Sequence, residues 1–356
     1  MGLLSELPPP PPGRSGWPWD SEFPAEGYEN TEAWPKLSIV TPTFNQADYI
    51  EETIRSILLQ NYPNLEYIII DGKSTDETPE IIKKYDRWIT FWISEKDSGQ
   101  SEAINKGMDR VTGDVVNWIN SDDYLEPNAL FNIARAFQEQ PEVHMAASKS
   151  RKFGEGIEDQ IVPRDQSHVS DEDFLFNFWY MQPSCFWKTS VFKSLFPLNE
   201  ELHYCMDTDL FVRYFLTHGR DHLSSIDHVT VNFRMHESGK SISSQLGFNE
   251  ERLKIDQSLL AAGLRGKKSS SDQNPELLDY TCSVELDAQG LQQSFDKKWS
   301  EWQSDPSKKY LTVAEYAGWY HQYSQMRHYS WQAILANPLK PINWRYFIRA
   351  VRKSFS

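Results

Sequence analysis

Asp114-Val-Val-Asn-Trp-Ile-Asn-Ser-Asp-Asp123 decides how this chain is read. The apolar run up to Asn120 reads as a strand buried in a parallel sheet, and Pro127 then opens a helix. At the C-terminal end of that strand stand two adjacent carboxylates, Asp122 and Asp123. Open α/β sheets bind their ligands at that end of the strands. Adjacent carboxylates repel each other, and a divalent cation relieves the repulsion. Hard oxygen ligands suit Mg²⁺ or Mn²⁺, and those ions bridge diphosphates. A solvated Asp-Asp turn is the plain alternative, and the sequence around the pair weighs against it.

Upstream, Leu37-Ser-Ile-Val-Thr-Pro-Thr-Phe44 reads as a first strand, followed by Ile50, Ile54, Ile57 and Leu58 at helical spacing. Glu66-Tyr-Ile-Ile-Ile-Asp71 is a second, buried strand, and the polar run Ser74 to Thr78 precedes another helix. Phe91-Trp-Ile-Ser-Glu95 is a third strand, Ser101 to Met108 a short helix, and Asp114 to Asn120 the fourth strand. Such β–α alternation implies a parallel sheet with helices on both faces. Right-handed crossovers then gather the strand ends on one edge. From Phe153 to Phe178 the pattern weakens to an expected variable loop and short helix. Residues 181–236 regain a strong pattern, 244–356 read as mainly helical, and Gly266 to Pro275 as a loop or linker. No internal repeat stands out.

With 356 residues the chain can bury one large core plus an appendage. A net charge of −15 argues against nucleic acid as a partner, since a phosphate backbone calls for basic surface. Cys185, Cys205 and Cys282 are odd in number and lack metal spacing, so a reducing, cytoplasmic setting is expected. No stretch approaches the roughly 18 apolar residues of a membrane span, and the N-terminus has no apolar signal core. Met-Gly at the start does not announce myristoylation, because Glu6 occupies the required Ser/Thr position.

Five ordered blocks carry a resemblance. They are Ser38-Ile-Val-Thr-Pro-Thr-Phe-Asn45, Ile70-Asp-Gly-Lys-Ser-Thr-Asp76, Asp97-Ser-Gly-Gln100 with Ala103-Ile-Asn-Lys-Gly107, Gly113-Asp114, and Ser121-Asp-Asp123. Together they resemble the family 2 glycosyltransferases of GT-A fold over roughly residues 37–240. The resemblance implies a Rossmann-like α/β domain with a mostly parallel central sheet flanked by helices, here with a mainly helical C-terminal extension. It implies transfer of a sugar from a nucleotide-diphosphate donor, UDP-linked, to a glycan or lipid-linked acceptor hydroxyl, with inversion and with Mn²⁺ or Mg²⁺ as cofactor. A nucleotidyltransferase would want a Gly-rich basic loop after the first strand, and Asn45-Gln-Ala-Asp48 is not one. A non-catalytic nucleotide-sugar-binding module is the other alternative, and the intact acids argue against such decay.

Residue roles follow from the resemblance. Thr41 and Pro42 lie against the nucleobase, Asp71 accepts a hydrogen bond from it, and Asp97 and Gly99 pass beneath the nucleoside. A carboxylate accepting from a ring N–H suits uracil or thymine. Asp123 ligates the cation and Asp122 meets the ribose or metal-bound water, with Ser121 in the first place of a triplet that usually has Asp at both ends. Lys106 reads as a helix-surface lysine. In His203-Tyr-Cys-Met-Asp207-Thr-Asp209, Asp207 aligns with the general base, although Met206 stands where many relatives carry Glu. Asp209 is the rival base, or a partner of Arg213 one helical turn on. His236, flanked by Arg234 and Ser241, is a candidate for the metal or the diphosphate.

The chain accordingly divides into three parts. A proline-rich leader over 1–34 is expected to be poorly ordered or draped, with Trp17, Trp19 and Trp34 available to pin it. A catalytic domain spans 35–243, with donor half 35–150 and acceptor half 151–243. A helical extension covers 244–356. On a helix from Pro341, Trp344, Phe347, Ile348, Val351 and Phe355 share one face flanked by arginines. That pattern fits either docking on the acidic domain or peripheral contact of 341–356 with an anionic inner-membrane face.

Overall fold

The computed structural model describes residues 2–28, 34–154, 157–162, 169–178, 180–236, 238–265, 277–280, 283–284, 286–305, 307–308, 310–311, 314 and 323–353. The expected linker over 266–275, Cys282 and Phe355 lie outside them. Alternating strands and helices build the first half: β1 (Leu37–Thr43), α1 (Ile50–Leu58), β2 (Leu65–Asp71), α2 (Thr78–Lys84), β3 (Phe91–Ser94), α3 (Gln100–Met108) and β4 (Val115–Trp118). Then come β5 (Tyr124–Leu125), α4 (Ala129–Glu139), β6 (Met145–Gly154), β7 (Ile157–Val162), α5 (Asp171–Asn177), β8 (Cys185–Lys188), α6 (Thr189–Ser194), α7 (Met206–His218) and β9 (Leu223–Met235).

One sheet joins the strands in the order β3-β2-β1-β4-β8-β6-β9-β5, with β7 paired to β6. β3, β2, β1 and β4 are mutually parallel, as are β6 and β9, while β8 runs against both β4 and β6. Alternate residues on β1 and β2 serve opposite layers. Val40, Ile68 and Ile70 join α3 residues Ala103, Ile104 and Met108, whereas Leu37, Ile39, Tyr67 and Ile69 join α1 residues Ile50, Ile54 and Ile57. Burial on both faces is why these strands read as continuous apolar runs. α3 comes very close to β1 at Gly107, where a Cβ would stand 2.4 Å from Val40 Cγ1.

The expected loop from Phe153 is instead the end of a hairpin, β6–β7. β7 is largely exposed (Ile157 to Val162), so no apolar alternation announced it. The short helix expected further on is α5.

Two buried charges tie the layers. Glu66 accepts from Lys36 Nζ (2.7 Å), Ser38 Oγ (2.6 Å) and Thr112 N–H (2.8 Å), joining β2 to β1 and to the turn before β4. Burial alone would raise its pKa, but these bonds prevail and hold it at about 2. Arg55 of α1 is buried and donates to the carbonyls of Pro8 (2.8 Å), Pro18 (3.0 Å) and Trp19 (2.8 Å) and to Tyr85 Oη (3.2 Å). The leader over 2–28 is thus held against the domain. Trp19 is buried, and Trp17 Nε1 donates to Leu125 O at 2.7 Å.

α8 (Lys240–Ser243), α9 (Gln245–Arg265) and α10 (Ala288–Ser304) follow. Ile255, Leu259, Leu291, Phe295 and Trp299 from α9 and α10 share one apolar cluster with Phe176 and Phe211. At its edge the buried Asp256 accepts from Arg252 Nε (2.9 Å), Lys298 Nζ (2.7 Å) and Trp299 Nε1 (2.8 Å). Burial pulls the Lys298 ammonium down to about 8.

Candidate active site

A cavity of about 640 Å³ opens where the parallel strands end. Pro42, Thr43 and Phe44 from the end of β1 and the turn after it line it, with Asp97, Gly99 and Gln100 from the head of α3. Ser121 and Asp122 come from the loop after β4, Met206 and Asp207 from the head of α7, and His236 and Lys240 from beyond β9. Gly99 has φ 150°, a conformation that side chains other than glycine's rarely adopt.

Of the residues expected from the sequence, Pro42, Asp97, Gly99, Asp122, Asp207 and His236 meet in this one cavity. Thr41, Asp71 and Asp123 do not line it. Thr41 is buried, its hydroxyl 3.2 Å from Tyr67 Oη. Asp71 is buried at the end of β2 and accepts from Ser74 N–H (3.1 Å) and from the hydroxyls of Ser74 and Ser94.

The acidic loop is held from two sides. Thr53 Oγ1 of α1 bonds to Ser121 O (3.0 Å) and Asp123 O (2.6 Å). From β9, Arg234 donates its N–H to Asp123 Oδ1 (3.0 Å), Nε to Asp122 O (2.9 Å) and Nη2 to Glu52 Oε2 (2.9 Å). The Arg234 guanidinium lies over Tyr49 and Phe153. Among the described residues Asp123 Oδ2 has only a long 3.4 Å contact from Asn120 Nδ2. Burial first, and the Asp122 charge second, push the Asp123 carboxyl well above the usual range.

Asp122 turns the other way. Its Oδ2 lies 3.0 Å from His236 Nε2, and His236 Nδ1 lies 2.8 Å from Ser238 Oγ. Tyr49 packs on the imidazole with ring centroids 4.8 Å apart.

Across the cavity, Asp207 stands on the first turn of α7. Its Oδ1 accepts from Thr208 N–H at 2.7 Å, and burial raises its pKa. Asp209 is buried away from the cavity, accepting from Arg213 Nε (2.9 Å) and Tyr280 Oη (2.8 Å). Lys106 pairs with Glu95 (3.0 Å) and Glu102 (2.9 Å) on the surface of α3.

Sequence reading missed three contributors. Glu251 of α9 accepts from the N–H groups of His203 (2.8 Å), Tyr204 (2.9 Å) and Cys205 (2.9 Å), fixing the loop that delivers Asp207. Lys240 donates to Gln100 Oε1 (3.0 Å) and His203 O (3.2 Å), bridging the two sides of the cavity. Glu52 steadies Arg234. Arg234 was named only as the neighbour of His236; its hold on Asp122 and Asp123 is what the sequence did not show.

Residues 38–193 match the family model described as glycosyl transferase family 2. Over that segment the chain is similar to the glycosyltransferases of family 2. It is 41% identical over 99 residues to the putative teichuronic acid biosynthesis glycosyltransferase TuaG of Bacillus subtilis, covering 27% of this chain and 39% of that protein. The chain spans less than half the length of the curated relatives it matches. In fold it is similar to Staphylococcus aureus TarS 1–349 in complex with UDP, with TM-score 0.55, 17% identity, and coverage of 89% of this chain and 88% of that one. It is similar too to the mannosyltransferase PcManGT of Pyrobaculum calidifontis in complex with GDP-Man and Mn²⁺, with TM-score 0.52, 16% identity, and coverage of 90% and 87%. The chain therefore shares the GT-A architecture of these structures.

The donor set of the acidic loop fits a divalent cation. Among the described residues no three His, Cys, Asp or Glu side chains are gathered in ligating geometry. Mg²⁺ and Mn²⁺ do not need three. Mg²⁺ is commonly held by one or two carboxylates plus substrate phosphates and water. The poorly satisfied Asp123 Oδ2, the adjacent Asp122 and the imidazole of His236 offer that chemistry.

Proposed function

We propose that this chain is an inverting glycosyltransferase that moves a sugar from a nucleotide-diphosphate donor, UDP-linked, to an acceptor hydroxyl. One observation carries the reading: a single cavity has the acidic loop and His236 on one side and the Asp207 carboxylate at the head of α7 on the other. The acceptor oxygen attacks the anomeric carbon opposite the leaving diphosphate. Asp207 takes the hydroxyl proton, and the bond from the anomeric carbon to the diphosphate oxygen breaks with its electron pair on that oxygen. Burial raises the Asp207 pKa, and a base with a raised pKa holds the proton better as the bond forms.

Asp123 and His236 would hold Mn²⁺ or Mg²⁺, with Asp122 toward the ribose. The bound ion would neutralise charge on the diphosphate as a Lewis acid. Pro42, Asp97 and Gly99 form the nucleoside end, with Thr41 and Asp71 shaping the strand ends behind it. Arg234 keeps the acidic loop in place, and Glu251 keeps Asp207 in place. We keep the division into leader, catalytic domain over 35–243 and extension, with α9 serving the acceptor side. The acceptor is a glycan or a lipid-linked saccharide, met on the cytoplasmic side.

Calorimetric titration of UDP with and without Mn²⁺ tests the cation assignment. The wild type should bind UDP more tightly with Mn²⁺, and Asp123→Ala should erase that dependence while the protein stays folded. Equal UDP affinity with Mn²⁺ and with EDTA in the wild type overturns the assignment.

A further inference from the structure

Among the described residues eight large apolar side chains are exposed, and six of them lie between 331 and 348. They belong to a helical hairpin formed by Tyr323–Ala336 and Pro341–Lys353. Its inner side is packed: Ala333, Asn343 and Ala350 are buried, and Asn343 Nδ2 donates to Ala333 O (3.0 Å) and Asn337 O (2.8 Å). Its outer side is open. Trp331 meets Trp344 and Phe347 across the hairpin, with ring centroids 6.4 and 5.4 Å apart. Leu335 lies one turn on from Trp331, and Ile348 one turn on from Trp344, so these four form one continuous face. They are 43%, 60%, 41% and 47% exposed, and Leu339 at the tip is 91% exposed.

Charge singles out the partner. Arg345 and Arg349 are exposed and each follows a member of the apolar face, which puts them about 100° round the helix from it. Residues 337–356 hold five basic side chains and no acidic one, in a chain whose net charge is −15, leaving −20 on the remainder. No helix of the described residues is long and apolar enough to cross a membrane.

We propose that this hairpin face seats on an anionic lipid bilayer surface. Trp331, Leu335, Leu339, Trp344 and Ile348 enter the boundary between headgroups and acyl chains, and Arg345 and Arg349 meet the lipid phosphates. Tryptophan suits that depth because its ring is apolar and its N–H polar. An apolar face beside a basic stripe is the pattern of helices that lie in the interface plane. A second copy of the chain fits less well, since a two-fold contact would bring the same arginines toward each other. The inference goes beyond the transferase reading and does not depend on it.

Vesicle co-sedimentation of the full chain tests it, using phosphatidylglycerol-containing vesicles, pure phosphatidylcholine vesicles, and low and high salt. The wild type should bind the anionic vesicles in low salt, and binding should fall at least about 10-fold on neutral vesicles or in Arg345→Glu/Arg349→Glu, as expected when two surface cations are reversed. Leu335→Asp/Ile348→Asp should lose binding to both, with circular dichroism and thermal melting unchanged. Wild type left in the supernatant with anionic vesicles, or bound equally to both kinds, overturns the proposal whatever the variants do. So does a dimer in analytical ultracentrifugation that Leu335→Asp/Ile348→Asp dissolves, which would assign the face to a second copy. Donor turnover in vesicle-free solution is a separate readout, so loss of one claim leaves the other standing.

Discussion

Asp207 and Asp209 leave the first turn of α7 toward different surroundings. Asp207 faces the cavity with Thr208 as its hydrogen-bond partner, whereas Asp209 is enclosed by Arg213 and Tyr280. Their substitutions should therefore separate. Asp207→Asn should cut kcat about 10²-fold or more, the usual scale for a lost general base, with UDP affinity kept. It should not lower stability. A carboxyl whose pKa is raised on folding binds its proton more tightly in the folded state, so it costs stability as pH rises through and above its ordinary range. The amide removes that cost. Asp209→Asn should leave the half-buried Arg213 guanidinium half-paired and lower stability by about 1–3 kcal/mol. Turnover assays and chemical denaturation of both variants check this, and a turnover loss confined to Asp209→Asn would move the base by two residues. At this scale the sequence made the acids visible, because each follows a strand or heads a helix. What it hid was direction. Nothing in Ser121-Asp-Asp123 says that Asp123 turns to the Arg234 N–H and Asp122 to His236, since both partners lie more than 100 residues away.

Among the elements, β1 to β4 were legible because burial on both faces leaves unbroken apolar runs, and the helices between them keep their spacing. β7 was not, being exposed and paired to a single neighbour. Glu66 shows how a polar residue inside such a run escapes notice. It reads as the start of a strand, yet it joins β2, β1 and the turn before β4. Its pKa falls from the ordinary glutamate value to about 2 on folding. A depressed carboxylate stabilises the fold above its unfolded pKa, and that stabilisation is lost as pH falls from near 4.5 through 2. Glu66→Gln should therefore destabilise the protein at pH 7 and much less at the acid end of that window. Urea denaturation of both proteins across that range measures it, and a difference that does not shrink with acid would contradict the bonding assigned to Glu66.

Over the whole molecule, leader and α9 support the cavity from outside while the sheet ends and α7 line it. The leader's carbonyls satisfy Arg55 on α1, the helix whose Thr53 also fixes the acidic loop. α9 supplies Glu251 to the loop that presents Asp207. Neither arrangement could be read from the chain, because a buried arginine bonded to carbonyls, or a carboxylate capping three N–H groups, has no local pattern. The central claim is that this cavity turns over a nucleotide sugar with Asp207 as base. Release of UDP from a panel of UDP-sugars in the presence of Mn²⁺, followed for wild type and Asp207→Asn, tests it most directly. The account predicts release by the wild type from at least one donor, suppressed by EDTA and reduced about 10²-fold or more in Asp207→Asn. Release that Asp207→Asn leaves intact, or that excess EDTA leaves undiminished, would contradict it.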